Sequence, residues 1–156
     1  MISNTNDFPQ DVFREVEHIG IAVGSLDVAD VTYRALLGVE RYKIEEVHSE
    51  KVRTAFYQVG KTKIELLEPT SEDSPIARFL EKRGPGIHHI AFDVENIAQA
   101  IQRLQGAGFV LTGRAPQRGA DNKLVAFVHP KSSGGTLIEL CQEIPAVAPG
   151  VSSVNP

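Results

Sequence analysis

Val16-Glu17-His18-Ile19-Gly20-Ile21-Ala22-Val23 and Ile87-His88-His89-Ile90-Ala91-Phe92-Asp93-Val94 are two versions of one stretch. They lie 89 − 18 = 71 residues apart, and the same shift sets Val16 against Ile87, Leu26 against Ile97 and Ala29 against Ala100. A second matched pair closes each copy: Ile64-Glu65-Leu66 and Ile138-Glu139-Leu140, 139 − 65 = 74 residues apart. Each half therefore carries one histidine and one glutamate at corresponding points, His18 with Glu65 and His89 with Glu139.

Working outward, each half has the same order of elements. In the first, a strand over 16–23 leads to a helix with Ser25 as N-cap, Val28, Val31 and Ala35 at helical spacing, and Gly38 near its end. Strands follow at about 40–48, 52–59 and 62–68, the last two joined by the turn Gly60-Lys61. In the second, Asn96 caps a helix carrying Ile97, Ala100, Ile101 and Leu104, which stops at Gly106 or Gly108. Strands are expected near 109–114, 123–129 and 135–142. The two halves, 14–68 and 86–143, thus read as β-α-β-β-β modules of one α+β domain spanning 14–143. Between them Ser74-Pro75 opens a linker helix over 74–84, with Ile76, Phe79 and Leu80 as its apolar stripe and Gly84 as its stop. Residues 1–12 and 145–156 lack periodicity and read as flexible tails.

Strand alternation decides where the four polar residues point. Ile19, Ile21 and Val23 share the face that packs on the helix, and His18, Gly20 and Ala22 share the other. In the second copy His89, Ala91 and Asp93 oppose Ile90, Phe92 and Val94, and parity puts His88 on the helix-packing face as a structural neighbour. Glu65 and Glu139 likewise oppose their flanking Ile and Leu. If the modules pair, all four meet on one concave sheet surface. A small residue after each histidine, Gly20 or Ala91, leaves room in front of it.

An apolar-flanked carboxylate on an inner sheet face is costly unless it is paired or binds a metal. Two imidazoles and two carboxylates suit one divalent ion, with one or two positions left for substrate or water. An all-N/O donor set is compatible with Zn, Co, Mn, Ni or Fe(II). The bland alternative is a satisfied histidine–glutamate hydrogen-bond network.

Bulk properties exclude other classes. A net charge of −4 argues against general nucleic-acid binding. No apolar run approaches the length of a membrane span, and the polar start lacks a signal peptide's apolar core. The lone cysteine, Cys141, forbids an intrachain disulfide and reads as a structural strand residue. A cytoplasmic protein is the expectation.

The paired modules and the four candidate ligands resemble the vicinal-oxygen-chelate (glyoxalase) superfamily. Within it the chain is similar to the methylmalonyl-CoA epimerases. The likeness spans about 15–143 and rests on His18-Ile19-Gly20-Ile21-Ala22-Val23, Lys63-Ile64-Glu65-Leu66-Leu67-Glu68-Pro69, Asp73-Ser74-Pro75-Ile76-Ala77 and Gly86-Ile87-His88-His89-Ile90-Ala91. It also rests on His129-Pro130-Lys131 running to Leu137-Ile138-Glu139-Leu140. The resemblance implies a curved mixed sheet around a metal held by His18, Glu65, His89 and Glu139. It implies epimerisation of an acyl-CoA by proton removal and return through a metal-stabilised enolate, with Glu139 as both ligand and base. A homodimer and a place in propionate metabolism, with cobalt among the fitting metals, are further implications.

Thr54 stands where some members carry a second catalytic glutamate, so the second acid/base group is left open; Glu46, His48 and Glu50 read as a solvated turn. The loop Lys131-Ser132-Ser133-Gly134-Gly135 offers backbone N–H groups for a substrate carboxylate, or is a plain hairpin turn. Arg114, Arg118 and Lys123 are candidates for the CoA phosphates, or solvated loop charge. A glyoxalase I-type isomerase, an extradiol dioxygenase and a non-catalytic drug-binding protein are the competing readings.

Overall fold

The computed structural model describes residues 13–145; apart from Pro145, the expected tails lie outside the described residues. The elements are β1 (Phe13–Ala22), α1 (Leu26–Leu37), β2 (Lys43–Val47), β3 (Val52–Val59), β4 (Thr62–Pro69), α2 (Pro75–Arg83), β5 (Gly86–Val94), α3 (Ile97–Gly106), β6 (Leu111–Arg118), β7 (Lys123–Val128) and β8 (Ile138–Glu143). A single 3₁₀ turn, Pro130–Ser132, precedes β8. All strands join one curled mixed sheet in the order β2-β3-β4-β1-β5-β8-β7-β6. That order is two four-stranded units meeting edge to edge. β1 pairs parallel with β4, β5 pairs parallel with β8, and the antiparallel β1–β5 pair joins the modules.

The caps behave as their chemistry dictates. Ser25, Ser74 and Asn96 each accept a backbone N–H from the first turn of α1, α2 and α3. Gly38 ends α1 in the left-handed conformation. Ile97, Ala100, Ile101 and Leu104 pack against Val94, Ala126, Val128 and Leu140. A buried leucine in such a cluster contributes about 2 kcal/mol by area.

The residues at helical spacing that mark α1 are not the ones it buries. Val28, Val31 and Ala35 face outward, Val28 and Val31 each 69% exposed. The buried face is Leu26, Ala29, Asp30, Tyr33 and Leu37, packed on Val23, Ala55, Tyr57 and Leu66. A polar residue holds the middle of that face because it is paired: Asp30 accepts from the Tyr57 hydroxyl and from Arg41.

Candidate metal centre

β1, β4, β5 and β8 are the four central strands, and each presents one of the four candidate ligands to the concave face. Register explains the convergence. Glu65 lies across from Gly20 on β1, Gly20 lies across from His89 on β5, and Glu139 lies across from Ala91 on β5. Gly20 is required there, because a methyl at its Cβ would overlap the His89 imidazole.

His18 Nε2 lies 3.0 Å from His89 Nε2 and 3.3 Å from both Glu65 Oε2 and Glu139 Oε2; His89 Nε2 lies 2.9 Å from Glu139 Oε2. All four side chains are nearly inaccessible. Four donors at about 2.1 Å from one ion, set at right angles, stand about 3 Å apart. His18, Glu65 and His89 bring donor atoms within 4.8 Å of one another, and Glu139 Oε2 stands beside both histidines, a spacing and N/O chemistry that fit a divalent cation. The site also holds an orphan: Thr54 Oγ1 is buried without a hydrogen-bond partner.

Electrostatics divide the four. Burial alone would raise the Glu139 carboxyl, but His18 and His89 together hold it below the ordinary range. Burial pushes Glu65 up to about 8, only partly offset by His18. Burial disfavours charge on His18, yet Glu65 and Glu139 raise its pKa well above the usual value.

The four residues line a cavity of about 460 Å³ together with Glu50, Thr54, Ile76, His88 and Phe127. Two expectations change here. Glu50 is not a solvated turn residue: it is half-buried in this cavity, while Glu46 and His48 stay outside with side chains 49% and 86% exposed. Burial, reinforced by the charge of Glu139, raises the Glu50 carboxyl to about 7. His88 also lines the cavity, with its ring edge on Phe79 of α2, instead of packing under a module helix.

Part of the loop before β8 is engaged in its own turn. The N–H groups of Ser132, Ser133 and Gly135 bond to His129 and Pro130 carbonyls, and the Ser133 hydroxyl to Pro130 and Thr136. Lys131, Ser132, Ser133 and Gly134 line neither this cavity nor its neighbour; Gly135 lines the neighbour. That second cavity, about 450 Å³, shares Pro75, His88, His89, Pro130 and Leu137 with the first. Arg78, Lys82 and Arg83 of α2 line it, and among the described residues none of them forms an ion pair. Lys123, by contrast, is buried toward Glu17, 3.9 Å away. No helix among the described residues is long and apolar enough to cross a membrane.

Residues 17–127 match the model of the Glyoxalase/Bleomycin resistance protein/Dioxygenase superfamily. The ethylmalonyl-CoA/methylmalonyl-CoA epimerase of Cereibacter sphaeroides is 45% identical over 129 residues, covering 81% of this chain and 96% of that protein. The crystal structure of methylmalonyl-CoA epimerase from Mycobacterium tuberculosis superposes with a TM-score of 0.84 at 36% identity, over 90% of this chain and 95% of that one. A Streptomyces coelicolor methylmalonyl-CoA epimerase variant, solved with 2-nitronate-propionyl-CoA, gives 0.82 at 33% identity, over 88% and 99%.

Proposed function

We infer from one premise, that the chain belongs to the Glyoxalase/Bleomycin resistance protein/Dioxygenase superfamily and to its methylmalonyl-CoA epimerases, that it interconverts (R)- and (S)-methylmalonyl-CoA. The observation that carries this reading is the meeting of His18, Glu65, His89 and Glu139, two from each module, in one cavity. We assign these four to the divalent ion. When bound, such an ion supplies Lewis-acid polarisation of the substrate's carboxylate and thioester oxygens. Cobalt, manganese, zinc and nickel all suit the donor set.

The chain's own residues handle the proton. Inversion needs a proton removed from one face of the substrate carbon and another delivered to the opposite face. Glu139, kept ionised by the two histidines, takes the first role. Glu50 takes the second. It enters from the turn between β2 and β3, whereas Glu139 comes from β8, so the carboxyls reach the substrate from different halves. With its pKa near neutrality, Glu50 gives and accepts a proton with little driving force either way. The unpartnered Thr54 hydroxyl, on the strand after that turn, is left to bind a substrate oxygen or a water.

The CoA phosphates fall to Arg78, Lys82 and Arg83 at the adjoining cavity, in place of Arg114, Arg118 and Lys123. The exposed apolar face of α1, with Val28, Val31 and Leu36, fits a second copy of the chain and supports a homodimer. Residues 14–143 are read as one domain. The free, buried Cys141 suits a reducing compartment such as the cytoplasm.

The test is α-deuterium incorporation into methylmalonyl-CoA in heavy water, with and without chelator. Rapid incorporation that chelator abolishes is the expected result. Inertness toward methylmalonyl-CoA in metal-loaded protein, with turnover of methylglyoxal and glutathione instead, would replace this reading with the glyoxalase one.

A further inference from the structure

The β1–β5 ladder skips one residue beside each metal-site histidine. Val16 pairs with Phe92 and His18 with Ala91, which leaves Glu17 unpaired. Gly20 pairs with His89 and Ile21 with Ile87, which leaves His88 unpaired. The two bulged residues are 88 − 17 = 71 positions apart, the repeat shift itself. A bulge re-aims a side chain that strict alternation would send to the other face. Here each one turns its side chain onto the concave face, beside the histidine that follows.

Both contacts are made at Nδ1. His18 Nδ1–H donates to the Glu17 carboxylate, and His89 Nδ1 lies 2.9 Å from His88 Nδ1. A hydrogen bond at that distance in which His89 Nδ1–H donates makes His88 Nδ1 the acceptor. Either contact leaves the partner's Nε2 lone pair free, and the two Nε2 atoms are the ones that face the shared donor cluster.

We propose that Glu17 and His88 are positioning residues for the metal, each fixing the tautomer and ring orientation of the adjacent histidine ligand, with the charged Glu17 the stronger of the two. A carboxylate on the distal nitrogen makes an imidazole a better donor than a neutral acceptor does. Glu17 is itself locked: Lys63 Nζ stands 2.6 Å from Glu17 Oε1 and 2.8 Å from Asp121 Oδ2. Asp121 belongs to the β6–β7 turn, so module two buttresses the histidine of module one. His88 is backed by no such ion pair among the described residues; its ring meets the edge of Phe79, with centroids 5.0 Å apart.

This inference rests on the metal reading above, and one titration separates the two. Cobalt(II) affinity is measured by competition with a chelator, and the melting temperature of each metal-free variant is taken alongside. Unmodified protein that binds no cobalt would sink the metal reading itself. With cobalt bound by the unmodified protein, Glu17→Gln is expected to weaken affinity ~10- to 100-fold while metal-free melting is preserved. His88→Asn, which keeps an acceptor, should leave affinity within about threefold. Should Glu17→Gln fail to fold, Lys63→Met provides the second variant, expected to weaken cobalt binding in the same direction by freeing Glu17. Cobalt affinity within twofold of unmodified protein in the folded Glu17 or Lys63 variant would overturn the proposal. So would a loss of affinity fully matched by a loss of metal-free stability.

Discussion

Glu65 and Glu139 hold equivalent places in the two halves, one across from Gly20 and the other across from Ala91, residues 71 positions apart. Their surroundings are not equivalent. Glu139 Oε2 lies near both histidine Nε2 atoms, at 3.3 and 2.9 Å, whereas among the described residues Glu65 comes within ion-pair distance of His18 alone. The same residue type in the same register is thus held ionised in one half and raised by burial in the other. A duplicated strand places the four side chains; on the proposed reading, the departures from twofold symmetry are what fit Glu139, and not Glu65, to act as base as well as ligand. The cavity wall differs in the same way, since Glu50 and Thr54 enter it from module one and Phe127 enters it from module two.

The largest effect expected is from removing the doubly contacted carboxylate. Glu139→Gln should cut proton exchange and epimerisation by ~10³-fold or more, since it removes both a base and a ligand. Its counterpart Glu65→Ala should act through metal retention, read by elemental analysis, with activity partly restored at high metal concentration. Equal losses in both variants, rescued equally by metal, would erase the asymmetry. Glu50→Gln comes next, at ~10²- to 10³-fold in inversion. It should leave deuterium washout from one diastereomer intact while stopping it from the other, because only one face has lost its acid/base group. Equal washout from both diastereomers in that variant would return the second transfer to water. The pH profile follows from the same pair. On the proposed mechanism the active form holds one proton, on Glu50, while Glu139 is ionised. As pH rises past about 7 Glu50 loses that proton, and kcat/KM should fall on the alkaline side.

Much of this was legible in the residues. The repeat at 71, the caps at Ser25, Ser74 and Asn96, and the alternation around His18, Glu65, His89 and Glu139 are local signals, and local physics set them. Three things were not. The inward face of α1 turns on Asp30, whose burial depends on Tyr57 and Arg41, neither of them on the helix. Glu50 enters the cavity through the curl of the whole sheet, which no short window encodes. Glu17 and His88 break the parity rule because of bulges. A trace of that was present in the sequence: each is a polar residue directly before a polar histidine, in a strand that otherwise alternates. Two consecutive polar residues in such a strand are a signal for a bulge.

Smaller effects test how far the symmetry tolerates exchange. Gly20→Ala forces a methyl into the His89 ring, whereas the equivalent position, Ala91, already carries one beside His18. Gly20→Ala should therefore weaken cobalt binding about tenfold, and Ala91→Gly should not. Matching cobalt affinities in the two variants would mean that the His89 ring has room to move.

The smallest effect belongs to α2, which links the modules and has no copy in the repeat. Arg78, Lys82 and Arg83 sit on a nine-residue helix whose C-terminal end borders His88 and His89. Arg83 lies over the Phe79 ring, 5.8 Å from its centroid, which holds the guanidinium against the cavity wall. On the proposed reading these cations hold the CoA phosphates, so their loss should change binding and not the proton transfers. Replacing any one by Ala should raise KM for the acyl-CoA by roughly three- to tenfold, about the worth of one exposed charge-assisted contact, with kcat unchanged. Added salt should raise KM in the unmodified enzyme and do so less in the triple variant, since screening removes the same interaction. A substrate cut back to the pantetheine thioester lacks the phosphates, so it should be indifferent to all three substitutions. If that truncated substrate lost as much as the full one, these side chains would be shaping the cavity through packing, and the phosphates would belong to another surface.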